Sequence, residues 1–155
     1  MDKSVVKDQI SNLFRLNEIK LSYIYKDMPK TKIISSKDTF ELVAPFWDDI
    51  EYRESVYAIY LNRNNYVLYI SCISKGSTAG TTVDPKIVFQ GALMTNAHYF
   101  ILVHNHPSRN LMPSRSDINI TQKLKNVGIF LELPILDHLI ITRDNYYSFA
   151  DEGLL

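Results

Sequence analysis

Two histidines separated by one residue, His104 and His106, stand at the end of an apolar run from Tyr99 to Val103, and an aspartate, Asp117, follows a turn-rich loop. The stretch reads HNHPSRNLMPSRSD. Side chains on a strand alternate faces with a period of two, so both imidazoles can point the same way. Two imidazoles and one carboxylate, with a coordination position left for water, suit an open catalytic zinc site better than a closed structural one. The pattern predicts a metallohydrolase. Asp117 also has a purely local reading, because Ser114 and Asp117, three apart, resemble a capping box at a helix start. The two readings are compatible, since a capped helix start fixes where Asp117 points.

The elements that must position these residues are legible around them. Val5, Val6, Ile10, Leu13, Phe14 and Leu16 recur at helical spacing over residues 3–16, and residues 19–25 alternate like a short strand. Ser35, Ser36 and Asp38 predict a capped helix running toward Trp47, bent or shortened by Pro45. Residues 54–61 and 66–73 read as the two strands of a hairpin joined by an Asn62-Arg63-Asn64-Asn65 turn. A Gly/Ser/Thr-rich loop from Lys75 to Val83 precedes Asp84-Pro85, an N-cap with proline at the first helical position, and the helix is expected to reach about Ala97. A strand from Tyr99 to His104 enters the histidine loop, and Ser114 opens a helix to about Asn126. Strands over 135–142 and 146–149 close the chain. The order β-β-α-β-α-β predicts an α/β (α+β) fold, a mixed sheet flanked by helices in three layers.

The 155 residues suffice for one domain with a substantial core. Hydrophobic residues make up 46% and charged residues 22%, an ordinary globular balance. The 17 basic side chains equal the 17 acidic ones, so no bulk cationic excess exists to drive duplex DNA binding. One cysteine, Cys72, excludes an internal disulfide framework and any multi-cysteine zinc site, including that of a zinc nucleoside deaminase. It reads as a small buried strand side chain. His98, at a predicted helix end, reads as a favourable dipole partner. No signal-peptide core or long apolar span is visible, so a cytoplasmic protein without membrane association is expected.

From about Arg53 to Leu155 the chain resembles the RadC-like branch of the JAMM/MPN metalloprotease superfamily. The superfamily pattern of a distant glutamate, then H-x-H, seven residues, S, two residues and D is met by Glu54, His104, His106, Ser114 and Asp117. The branch features H-N-H-P-S, P-S-x-x-D, L-D-H and S-F-A-x-x-G appear at His104–Ser108, Pro113–Asp117, Leu136–His138 and Ser148–Gly153. The resemblance covers about two thirds of the chain. It implies a cytidine-deaminase-like three-layer JAB/MPN fold over residues 51–155, with residues 1–50 a helix/strand/helix extension packed on that core. The chain departs from full-length members in one respect: its first fifty residues show no paired Gly-containing hairpins, so a single-domain form without the helix-hairpin-helix region is expected.

By resemblance, His104, His106 and Asp117 would hold one zinc ion per chain, a ligand set that does not exclude iron, manganese or cobalt. Glu54 would act as general base, taking a proton from the attacking water and delivering it to the leaving amine. Its alternative is a solvated glutamate at a strand edge, and Glu51 is a nearby competitor. Ser114 would stabilise the oxyanion of a tetrahedral intermediate, or serve as an N-cap alone. Asn105 has two readings, an amide offered to substrate or a turn stabiliser. Asp137-His138 would be a supporting or structural pair. The implied reaction is hydrolysis of a peptide or isopeptide bond in a protein or peptide substrate. A DNA-repair-associated accessory role or a metal-dependent nuclease is the alternative, and nucleic acid as partner is not supported by net charge. The hairpin edge at Tyr66–Ile73 is a candidate surface for a homodimer or an added peptide strand. One departure concerns the loop: the branch usually has glycine where this chain has Arg109. If that glycine serves a positive φ, Arg109 either reshapes the turn or adds a cation beside the site.

Overall fold

The structure, a computed structural model, describes residues 30–76 and 82–155. The helix expected over 3–16 and the strand over 19–25 lie outside the described residues. Helix α1 spans Ser36–Val43 and begins with a complete capping box, Ser35 Oγ accepting from the Asp38 amide while the Asp38 carboxylate accepts from the Ser35 amide. Pro45 cannot supply an amide to continue the α-helix, and the chain tightens into one 3-10 turn at Ala44–Phe46.

Strands β1 (Ser55–Leu61) and β2 (Val67–Lys75) form the expected hairpin. Its turn is set by Asn62, whose side-chain oxygen accepts from the amides of Asn64 and Tyr66, with Asn65 in the left-handed region. Helix α2 (Pro85–Met94) is capped by Asp84 and ends three residues before the expected Ala97, because Asn96 turns left-handed. Strand β3 (Tyr99–Asn105) leads into the histidine loop. Helix α3 (Arg115–Leu131) starts at Ser114 and runs five residues beyond the expected Asn126. Its buried stripe of Asp117, Thr121, Leu124 and Gly128 is continuous at helical spacing, and the helix ends only where Glu132 becomes left-handed. Gly128 is therefore an interior packing residue: a Cβ there would sit 2.6 Å from the Leu133 carbonyl oxygen. Strands β4 (Ile135–Ile141) and β5 (Tyr146–Ser148) complete the sheet.

The strand order is β2-β1-β3-β4-β5, with β3 and β4 parallel and the other neighbours antiparallel. Strand alternation sends two sets of side chains to opposite faces. Val56, Ala58, Tyr60, Phe100 and Leu102 pack with Val88, Phe89 and Ala92 of α2 and Leu124 of α3. Ile59, Leu61, Ile101, Val103, Leu139 and Ile141 pack with Ile33, Val43, Trp47 and Ile50. The result is the three-layer α+β arrangement expected, with the segment from Ile33 to Ile50 covering one face. No helix among the described residues is long and apolar enough to cross a membrane.

Candidate metal centre

The histidines emerge at the top of β3. His104 is its penultimate residue and is almost fully buried, and His106 extends the β3–β4 ladder by one bond, its amide donating to the Ile141 carbonyl at 3.0 Å. The chain then reverses. Arg109 occupies the left-handed region at φ 63° and its amide donates to the His106 carbonyl. The left-handed turn is thus kept without glycine, at a backbone cost of about 1 kcal/mol. The reversal brings the Asn110 carbonyl to 2.6 Å from His106 Nδ1. A carbonyl only accepts, so Nδ1 of His106 carries the hydrogen and Nε2 of the neutral ring is bare.

Asp117 is brought in by α3. Its Oδ2 accepts from the Ser114 amide at 2.7 Å while Ser114 Oγ accepts from the Asp117 amide at 3.2 Å, a full capping box. The same carboxylate lies 3.3 Å from His104 Nε2 and 3.6 Å from His106 Nε2, and the two Nε2 atoms are 3.0 Å apart. Capping and convergence on the histidines are therefore both present. Donors at about 2.0–2.1 Å from a tetrahedral ion stand about 3.4 Å apart; the two Nε2 atoms come near that separation, and the carboxylate reaches His104 through Oδ1 and His106 through Oδ2. His104, His106 and Asp117 can hold a metal ion, their ligating atoms all within 4.8 Å of one another.

Electrostatics agree with the donor set. Burial alone would raise the Asp117 carboxyl, but the neighbouring His104 and His106 imidazoles, together with Ser114, hold it well below the usual carboxylate range. Burial works against protonation of His106, yet Asp117 and the Asn110 carbonyl raise it above an ordinary imidazole, with the charge of Glu54 adding to the effect.

Glu54 sits immediately before β1, half-buried. Val56 pairs with His104 across the antiparallel β1–β3 ladder, which brings the segment before β1, and Glu54 with it, to the histidine end of β3. What holds it there is Asn105. Fully buried, Asn105 Nδ2 donates to the carbonyls of Ile50 at 2.6 Å and Arg53 at 2.9 Å, and its Oδ1 accepts from the Ser55 amide at 2.7 Å. These bonds bracket Glu54 on both sides. Of the two readings of Asn105, the structure supports the scaffold role: all three hydrogen bonds go to the main chain. Glu51, the competitor, instead accepts from Arg109 and Arg143 and is lowered by both. The cation that Arg109 brings to the rim is thereby engaged.

The Asp137-His138 pair divides. Asp137 accepts from Ser148 Oγ and from the His138 and Ala150 amides, stapling β4 to the segment after β5. Burial nonetheless raises its carboxyl. His138 points the other way, its Nε2 2.8 Å from His104 Nδ1 and its Nδ1 2.6 Å from Thr121 Oγ1. Burial, and then the neighbouring His104, hold it well below the usual imidazole range. In the sequence Thr121 is marked only as a polar residue four after Asp117, in a stripe that the structure buries. His98 is exposed beyond α2, and Cys72 is exposed on β2 rather than buried as expected, because β2 is an edge strand.

Residues 33–154 match the family model described as RadC-like JAB domain. Among curated relatives, the chain is 46% identical over 123 residues to a UPF0758 protein of Flavobacterium johnsoniae, an alignment covering 79% of this chain and 53% of that protein. It is 40% identical over 147 residues to a UPF0758 protein of Methanococcoides burtonii, covering 95% of this chain and 63% of the relative. A UPF0758 protein of Chlorobium chlorochromatii is 36% identical over 147 residues, with 95% and 64% covered. The chain thus spans between half and two thirds of the length of these relatives.

Proposed function

The chain belongs to the RadC-like JAB domain family, and from that premise we propose that it is a metal-dependent hydrolase cleaving a peptide or isopeptide bond with an activated water, His104, His106 and Asp117 holding one zinc ion. The observation that carries this reading is the convergence of two imidazole nitrogens and one carboxylate, their ligating atoms all within 4.8 Å of one another. A bound zinc ion supplies a Lewis acid that lowers the pKa of water to about 7 and polarises a carbonyl.

The residues of the chain divide the remaining work. Glu54, at the histidine end of β3, is the general base that accepts the proton of the attacking water and returns it to the leaving amine. Asn105 keeps Glu54 in line through the main chain on either side of it. Ser114 is exposed, and because its oxygen accepts from the Asp117 amide, its own hydrogen can be donated to a developing oxyanion. The nuclease or DNA-associated alternative rests on the same family membership, with Arg109 and Arg143 both paired to Glu51.

Purified protein should contain about one zinc per chain, and His104→Ala and Asp117→Ala should each lose it. A screen of peptide, isopeptide and nucleic-acid substrates should show metal-dependent amide hydrolysis that Glu54→Gln abolishes while zinc remains bound. A wild-type protein that takes up no metal near neutral pH would sink this reading, and Glu54-dependent cleavage confined to nucleic acid would replace it with the nuclease.

A further inference from the structure

His138 and Thr121 lie one layer behind the candidate ligands, where Thr121 Oγ1 and His138 Nδ1 meet. Three short contacts connect them. Thr121 Oγ1 is 2.6 Å from the Asp117 main-chain carbonyl, 2.6 Å from His138 Nδ1, and His138 Nε2 is 2.8 Å from His104 Nδ1. Thr121 is 2% exposed, His138 1% and His104 2%, so none of these groups can exchange its partner for water.

The directions follow from hydrogen counting. The Asp117 carbonyl can only accept, so the single hydroxyl hydrogen of Thr121 goes to it. Thr121 Oγ1 must then accept from His138, which places the hydrogen of the His138 ring on Nδ1. His138 Nε2 is consequently an acceptor, and His104 Nδ1 must donate to it. His104 Nε2 is left bare, facing His106 Nε2 and the Asp117 carboxylate.

We infer that Thr121 and His138 form a hydrogen-bond relay that locks His104 in its Nδ1–H tautomer and thereby sets the metal affinity of the site. They are positioning residues, and the inference rests on the metal-centre reading above. The relay also closes a loop. It runs from the main chain of one ligand, Asp117, through α3 and β4 to the ring of another, His104, tying the helix-borne donor to the strand-borne one. Phe149 holds the relay ring in its plane, stacked on His138 at 4.7 Å between centroids and 15° between planes. The arrangement differs from that of His106, whose Nδ1–H is held by a loop carbonyl at an exposed position. One ligand is thus oriented by the core and the other by the loop.

The test uses Thr121→Val, Thr121→Ser and His138→Phe in the full chain. Zinc affinity would be measured by chelator competition, and the His104 tautomer by ¹⁵N chemical shifts of the metal-free protein. Thr121→Val and His138→Phe should weaken zinc binding about tenfold to a hundredfold, the range for partners of metal-ligating histidines. Thr121→Ser, which keeps the hydroxyl, should bind within about twofold of wild type by the same argument. His104 should be Nδ1–H in wild type and shift toward Nε2–H in His138→Phe, a change that loss of packing alone would not produce. Wild-type zinc binding with unchanged affinity in both Thr121→Val and His138→Phe overturns the relay and leaves the metal centre standing, as does an Nε2–H His104 in wild type. A wild type without zinc affinity overturns both.

Discussion

At the residue scale, the middle letter of the histidine motif has a purpose separate from its neighbours. The two histidines face the metal position, while Asn105, with opposite strand parity, reaches the main chain around Glu54. Asn105→Ala would leave up to three buried backbone groups unpaired and is expected to lower the unfolding free energy by about 3 kcal/mol. It should also cut turnover at least tenfold at unchanged zinc content, since small misplacements of a catalytic group are costly. Denaturant titration with parallel metal analysis checks this; a folded variant with wild-type turnover would remove Asn105 from the positioning of Glu54. A second residue-scale expectation concerns protons. His106 is raised and Asp117 is held low in the metal-free protein, so as pH falls a proton competes at His106 Nε2 but not at the carboxylate. Below the raised His106 pKa, zinc affinity should fall at least about tenfold per pH unit, and the fall should begin above the ordinary imidazole value of about 6.5. Chelator competition between pH 5 and 8 measures it, and a flat profile would contradict it.

At the scale of elements, the N-terminus of α3 carries two tasks in one turn. The Ser114–Asp117 capping box stabilises the helix start and aims the Asp117 carboxylate at the histidines. Ser114→Ala removes one arm of the box and keeps the other, because the Ser114 amide still donates to Asp117. Stability should therefore drop by about 1 kcal/mol with zinc retained. If the hydroxyl also serves an oxyanion, turnover should fall by about a hundredfold. Thermal unfolding and kinetics on the same preparation separate the two, and a stability loss without a rate loss would reduce Ser114 to a cap. The boundaries of α1, β1 and the hairpin turn were readable from local chemistry: Ser35 with Asp38, Pro45, and Asn62 with Asn65. Those of α2 and α3 were not. Asn96 stops α2 through a backbone conformation, and Gly128 resembles a stop signal although it serves a close helix–loop approach.

For the molecule as a whole, the core on the α2/α3 side of the sheet contains a phenol that reports on folding. Tyr60 is fully buried, its hydroxyl donates to the Val88 carbonyl at 2.9 Å, and burial pushes its pKa up to about 12. An unfolded tyrosine ionises near pH 10. Between those values the unfolded chain releases the proton and the folded one does not, so stability falls as pH rises. The contribution, about 2–3 kcal/mol, is fully present below about pH 10 and is largely lost by about pH 12. Tyr60→Phe should lose the Val88 hydrogen bond, costing about 1 kcal/mol at neutral pH, yet show a shallower decline over the alkaline window. Denaturant midpoints at pH 9 and 11.5 test this, and equal declines in both proteins would refute it.

The sequence by itself determined the donor types and their local spacing: a strand of period two ending in His104 and His106, a turn-rich loop, and a helix start that aims Asp117. These were legible because they lie within fourteen consecutive residues, where strand parity and helix capping act without help from distant chain. Glu54 could be singled out only through family resemblance, since nothing in the residues between it and His104 marks it. The tertiary structure decided the rest. Antiparallel pairing of β1 with β3 brings the segment before β1, which holds Glu54, to the histidine end of β3, and parallel pairing of β3 with β4 brings His138 behind His104. The buried stripe of α3 then brings Thr121 to His138. Each of these meetings joins separate elements, and hydrogen-bond direction in a buried site depends on which partners meet, a property that no single stretch of sequence carries.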